Sequence, residues 1–260
     1  MKRALTYGSV LLLWAFLTQS GVSQTILYND FSDATALSVT RDAFFVLDKG
    51  RHRFVVLSEE GEVMQTIGGL GFRQGAFNSP TDIDATNGLK IYVADYGNNR
   101  IQLFDKRGQV LSVINSDNSG LKSRQFKPKY LVVTQFGELI VFEESTHQLL
   151  YYDLSGNLIT RVRVPDEINR IDGLKISDNR LFVLDRTQSL VIELSLNGLY
   201  VTFYAKPELK AFEFDGTDMM LFSDPDPTLN GKSLPDDPVE LVWKKSSGWL
   251  VLDKKALRTY

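Results

Sequence analysis

Ile91-Tyr92-Val93-Ala94-Asp95, then a short turn, then Asn98-Asn99-Arg100-Ile101-Gln102-Leu103-Phe104-Asp105 and Gly108 is the stretch whose reading decides the fold. Two β-rich runs lie back to back, the first closed by a carboxylate and the second by a glycine turn. The same order recurs along the chain. Phe44-Phe45-Val46-Leu47-Asp48, Leu139-Ile140-Val141-Phe142-Glu143 and Leu181-Phe182-Val183-Leu184-Asp185 each end in an acid, and the four anchors lie 47, 48 and 42 residues apart. After each comes a second apolar run (Phe54–Leu57, Ile101–Phe104, Leu149–Tyr152, Leu190–Leu194), a glycine (Gly61, Gly108, Gly156, Gly198) and a third run. Before each lies a shorter apolar stretch near Leu37, Ile83, Leu131 and Leu174. Four short strands every 40 to 50 residues predict an all-β ring of four-stranded antiparallel blades, a β-propeller.

Two further anchors extend the register. Met220-Leu221-Phe222-Ser223-Asp224 follows Phe212 and Phe214 as Asp95 follows Ile83. Trp249-Leu250-Val251-Leu252-Asp253 is preceded by Pro238, Glu240 and Leu241 at the offsets that Pro80, Asp82 and Ile83 hold before Asp95. The last unit runs out after its third strand, and Thr25–Tyr28 supplies the fourth, closing the ring so that the termini share a blade and no sheet edge is left free. Only 13 residues separate Asp224 from Pro238, and four of the eight prolines fall there (Pro225, Pro227, Pro235, Pro238), which interrupts pairing. Two counts fit: six blades with the fifth reduced to about two strands, or five with 225–238 a long loop and 239–252 the outer hairpin of the fifth. Register favours six.

Gly71, Gly75, Phe77, Pro80 and Ile83, followed by the Ile91–Gly108 stretch, resemble an NHL repeat. Asp48, His52-Arg53-Phe54 and Gly61 are similar. The resemblance is strongest over 68–114, fair over 37–67 and thin through 126–203. It implies a six-bladed propeller of exported bacterial type that works as a binding or sensing module, with a minority of related propellers acting as metal-dependent lyases or lactonases. Function must be argued from the site.

The chain has 260 residues, 43% hydrophobic and 23% charged, with no Cys and two His. Disulfides, thiolate metal sites and cysteine nucleophiles are excluded, and the imidazole supply is too small for most zinc enzymes. Lys2 and Arg3, the apolar run Val10–Leu17 and the small residues Gly21-Val22-Ser23 predict a secretory signal peptide over 1–23, cleaved after Ser23, and a single propeller domain over 24–260. The apolar run is too short for a transmembrane anchor. Export without cysteine fits a secreted or periplasmic protein. The net charge of −3 falls to −5 in the mature chain, which argues against nucleic acid as partner.

Antiparallel connectivity puts the turns between second and third strands and the links between blades on one side, which is the expected binding face. It carries Lys49, Arg51, His52, Arg73, Tyr96, Asn98, Arg124, Lys127, His147, Arg170 and Arg186. The links hold eight basic residues (with Lys122, Lys129, Lys206 and Lys210) against Asp117, Asp166, Glu167 and Glu208, a modest pull on an anionic partner. Asp48 with Arg53, Asp95 with Arg100 and Asp253 with Arg258 are expected to clamp turns structurally. Units three and four have Gln148 and Leu190 where that arginine stands, so Glu143 and Asp185 are expected to be open to a cation, a ligand amine or an inter-blade arginine. His52 and His147 share a repeat position and read first as turn residues. No serine sits in a strand–turn–helix elbow. No cofactor is expected; calcium is suggested only by Asp224, Asp226, Asp236 and Asp237, without EF-hand spacing. The reading favoured is a non-catalytic exported module binding protein, peptide or glycan, with a metal-dependent lyase or lactonase, or an envelope structural subunit, as alternatives.

Overall fold

The anchor-bearing runs are apolar on consecutive residues because both of their faces are covered. Each lies inside a blade that is sandwiched between two neighbours, so every side chain of Phe44–Asp48, Ile91–Asp95 and Leu139–Glu143 is buried. The computed structural model describes residues 24–121, 125–215, 218–223, 228–229, 232–235, 238–244 and 248–260. The expected signal peptide, Lys122, Arg124, Asp224, Pro225, Asp226, Pro227, Asp236 and Asp237 lie outside them.

After β1 (Thr25–Tyr28), the first blade is β2 (Ala34–Val39), β3 (Phe44–Asp48), β4 (Arg53–Leu57) and β5 (Val63–Gly68), paired antiparallel in that order. The second is β6 (Asp82–Asp84), β7 (Ile91–Asp95), β8 (Arg100–Phe104) and β9 (Val110–Asn115). The third is β10 (Pro128–Val133), β11 (Leu139–Glu143), β12 (Gln148–Tyr152) and β13 (Leu158–Arg163). The fourth is β14 (Gly173–Ser177), β15 (Arg180–Asp185), β16 (Leu190–Ser195) and β17 (Tyr200–Ala205). The register is repeated residue for residue: Asp48 faces Arg53, Asp95 faces Arg100, Glu143 faces Gln148 and Asp185 faces Leu190. Gly61, Gly108, Gly156 and Gly198 all adopt φ between 75° and 87° in the turns before the outer strands, a region that excludes ordinary side chains.

The fifth unit is a two-stranded sheet, β18 (Leu209–Asp215) with β19 (Asp218–Ser223). A separate short hairpin follows, β20 (Thr228–Leu229) with β21 (Lys232–Ser233). The last sheet has the order β1, β24 (Leu257–Thr259), β23 (Gly248–Leu252), β22 (Glu240–Lys244), so the N-terminal strand closes the ring. Residues 239–252 therefore do not form an outer hairpin of the fifth unit. Among the described residues there are five four-stranded blades and one reduced unit, and their six inner strands surround the axis.

The core lies between blades. Phe54, Phe77 and Phe104 fill the first interface, with the Phe54 and Phe104 rings edge to face at 5.5 Å. Beside the two-stranded fifth unit, Leu234 packs with Phe222, Trp249 and Tyr260 against the last blade. Among the described residues no helix is long and apolar enough to cross a membrane.

Candidate functional site: the link face and the axial channel

The anchor carboxylates explain how this scaffold fixes its loops. Each sits at the end of a second strand, fully buried, and turns toward the link that enters its own blade. Asp48 Oδ1 accepts from the backbone N–H groups of Ser32 and Asp33, both at 3.0 Å, and its Oδ2 takes Arg53 Nε at 3.2 Å. Asp95 Oδ1 accepts from Asn78 N at 2.8 Å, while Oδ2 takes Arg100 Nε at 2.7 Å, Asn98 Nδ2 at 2.9 Å and Gln102 Nε2 at 3.1 Å. Arg258 pairs with the partly buried Asp253, whose Oδ1 accepts from Lys255 N and Ala256 N in its own turn. The three expected pairs are all formed. A buried carboxylate whose oxygens accept from donors on turn, link and strand ties the three together.

Glu143 and Asp185 follow the same rule and are not open to a ligand. Lys127 N and the N–H and hydroxyl groups of Ser145 and Thr146 all donate to Glu143. Asp185 accepts from Asn169 N, Arg170 N, Gln188 N and Gln188 Nε2. Desolvation alone would raise the Asp185 pKa; the Gln188 amide and these N–H groups outweigh it and hold the carboxyl below its ordinary value. The missing arginine is replaced by hydroxyls and an amide three residues or fewer from the anchor, and Ser145, Thr146 and Gln188 were the sequence signal for it.

Most of the other expected face residues are also engaged within the chain. Arg51 pairs with Asp30 at 2.7 Å and Arg170 with Asp172 at 2.7 Å. His52, Asn99, His147 and Ser189, each four residues after an anchor, all take left-handed φ between 53° and 57°. This backbone requirement accounts for the shared histidine position. His52 Nδ1 accepts from Ser79 N at 2.9 Å, and the His147 ring stands edge-on to Phe142 at 5.5 Å. Tyr96 donates to Glu144 at 2.6 Å, which pushes the phenol up to about 12, and Lys127 Nζ lies 4.7 Å over the Tyr96 ring. Asn98 donates to Gly71 O. Arg73 stays exposed, with no ion pair among the described residues.

The sequence reading missed the axis. A channel runs along it in two chambers, about 340 Å³ on the link face and about 740 Å³ on the opposite side, both lined by Asp82, Leu174, Lys175 and Glu240. At this waist Lys175 Nζ donates to Glu213, to Glu240 Oε1 at 2.7 Å and to Leu241 O at 2.9 Å, using all three ammonium protons. Lys175 thus reaches from the fourth blade across the reduced unit to the last one. Arg186 does the same at the mouth, donating to Lys210 O and Val239 O. Asp82 Oδ2 and Asp84 Oδ2 accept from Leu131 N and Val133 N, which latches the second blade to the third. Burial pushes the Asp82 carboxyl well above its ordinary range, opposed by the Leu131 N–H and reinforced by Glu240. The signal for these groups was a charge at alternate positions of otherwise apolar inner strands: Asp82 and Asp84 around Ile83, Lys175 between Leu174 and Ile176, Glu213 between Phe212 and Phe214.

The link-face chamber is lined by Lys49, Lys129, Tyr130, Arg186 and Lys254 together with Asp82 and Asp172. His52 and His147 line neither chamber. Among the described residues no three His, Asp or Glu side chains gather to hold a metal ion.

This architecture defines a β-propeller, and solved propellers are its structural neighbours. A streptogramin B lyase superposes with TM-score 0.66 at 10% identity, covering 91% of this chain and 96% of that one. A Xanthomonas campestris gluconolactonase superposes with TM-score 0.65 at 14% identity, covering 90% and 88%. At such identities the likeness is one of fold. Within the class, the NHL repeat family model matches residues 77–104, so the second blade of this propeller carries an NHL repeat. NHL repeat-containing protein 3 of Homo sapiens is 29% identical over 142 residues, 52% of this chain and 41% of that protein. Protein brain tumor of Drosophila melanogaster is 30% identical over 96 residues, 36% of this chain and 9% of that one. The chain thus spans less than half the length of either relative.

Proposed function

We propose that this chain is an exported, non-catalytic propeller whose link face binds a protein, peptide or glycan partner carrying negative charge. The observation that carries this reading is the mouth of the channel, where Lys49, Arg186 and Lys254 line one small chamber and Lys129, paired with Glu144, stands beside them. The guanidinium of Arg186 there meets backbone carbonyls and no carboxylate among the described residues. Links and turns held by buried carboxylates form a rigid rim, which lowers the ordering cost of binding. The lyase or lactonase reading asks for histidines and unengaged carboxylates on the axis. Here the histidines are turn residues, and the axial acids neutralise Lys175 or latch neighbouring blades.

Affinity capture from envelope extracts, with wild type beside Lys49→Glu and Arg170→Glu, tests the binding reading. A specific partner retained by wild type and lost by the charge reversals is expected; equal retention by all three would overturn it. N-terminal sequencing of the exported protein should begin at Gln24. Elemental analysis for calcium and zinc tests the metal alternative, since a stoichiometric metal would favour it.

A further inference from the structure

The link between the first two blades is held along its length by its own backbone and by side chains of the second blade. Gly71 N donates to Phe77 O, Phe77 N to Gly69 O, and Leu70 bridges Phe77 in parallel pairing. From the second blade Asn98 Nδ2 takes Gly71 O, Arg100 Nη1 takes Phe72 O, and Arg100 Nη2 takes Arg73 O and Ala76 O. Gln102 closes the set, accepting from Gly75 N and donating to Ala76 O. A loop of this length ordinarily leaves such carbonyls to water. Here they are collected by one buried guanidinium and two side-chain amides, so the backbone is fixed before any partner arrives.

What this fixed backbone displays is apolar. Phe77 points inward and is fully buried, whereas Leu70 is 71% and Phe72 79% exposed, with Arg73 and Gln74 also exposed beside them. No acidic residue lies between Glu62 and Asp82, so the only charge on the display is Arg73. A large aromatic held on a rigid loop, flanked by a free guanidinium, has the composition of an interface anchor. Pre-ordering removes the entropy that a mobile loop would lose on docking.

We propose that the link Leu70–Ala76 is a preformed recognition loop, with Phe72 and Leu70 seating in an apolar pocket of a protein partner and Arg73 meeting an acidic residue on that pocket's rim. This rests on the partner-binding reading above and assigns its anchor. The partner's chemistry follows from the loop: an apolar pocket because the anchor is aromatic and aliphatic, an acidic rim because the display is positive and has no acid of its own.

The test is selection of a random peptide phage library on the immobilised chain 24–260, followed by binding of the enriched synthetic peptides to wild type, Phe72→Ala, Arg73→Glu and Lys49→Glu. Phe72 is solvent-exposed, so Phe72→Ala should melt with wild type; if it does not, Phe72→Leu keeps bulk while removing the ring. Enriched peptides should combine apolar residues with Asp or Glu, and lose about 30-fold in affinity or more with Phe72→Ala. A loss of about tenfold is expected with Arg73→Glu. Peptides that bind Phe72→Ala as well as wild type but lose Lys49→Glu would overturn the anchor while leaving the binding face. A library that yields no binder to wild type would overturn both.

Discussion

Replacing Lys175 by Met should cost more stability than any other single change on the axis. The lysine side chain is 21% exposed and its partners Glu213 and Glu240 are 13% and 25% exposed, so the ion triad is largely withdrawn from water. At 2.7 Å the Lys175–Glu240 attraction alone is worth about 6 kcal/mol before desolvation, at an effective dielectric of roughly 20. Methionine keeps the length and removes the charge. Two carboxylates then face each other with no cation, and Leu241 O loses its donor. Breaking a buried pair in this way costs about 3 to 5 kcal/mol; residual exposure points to about 3, a large part of a normal folding free energy. The loss should fall on the joint between the fourth, fifth and last units, because Lys175 spans it. Urea unfolding at pH 7.5 measures the change. At pH 4 the deficit should shrink, since the carboxylates left without a cation then take up protons. Adding Glu213→Gln and Glu240→Gln to Lys175→Met should recover most of the loss. A cost below about 0.5 kcal/mol at pH 7.5, or an equal cost at both pH values, would refute the argument that uncompensated charge is the cause. In wild type the Lys175 pKa is raised, its burial outweighed by Glu213 and Glu240, so its contribution holds through neutral pH and is lost only as pH rises beyond the ordinary lysine range.

Glu143→Ala strands five donors and should destabilise by about 3 kcal/mol in thermal or urea unfolding, with no change in calcium uptake measured by calorimetry. Arg100→Met takes a donor from three link carbonyls, of which Ala76 O keeps Gln102 Nε2, and should cost about 3 kcal/mol and open the 69–77 link to limited proteolysis, whereas the more exposed Arg53→Met should cost about 1. Because the folded Asp185 pKa is lowered, the stability it confers is present above its ordinary value of 3.8 and lost as pH falls through the folded one. Asp185→Asn should therefore be less stable than wild type at neutral pH and converge with it as pH falls through the lowered folded pKa, in acid titrations followed by circular dichroism.

The repeat was legible from residues alone because each blade is one local hairpin sequence. The apolar run, the acid, the turn and the glycine stand in register, and strand period and turn chemistry are short-range physics. Even the closing strand Thr25–Tyr28 and the reduced fifth unit could be read, the first from register and the second from prolines that cannot join a ladder. Charge partners are another matter. Glu143 has no partner at the arginine position of its repeat, and its donors include a backbone N–H from Lys127, sixteen residues away. Asp82, Lys175, Glu213 and Glu240 come from four different blades, and nothing local says that they meet. Only closure of the ring brings the inner strands around one axis, where low dielectric turns alternate charges into a latch. The residues alone specified the blade and left its count between five and six; ring closure decided that count and which carboxylates were open, and left Arg73 and the apolar residues beside it facing solvent.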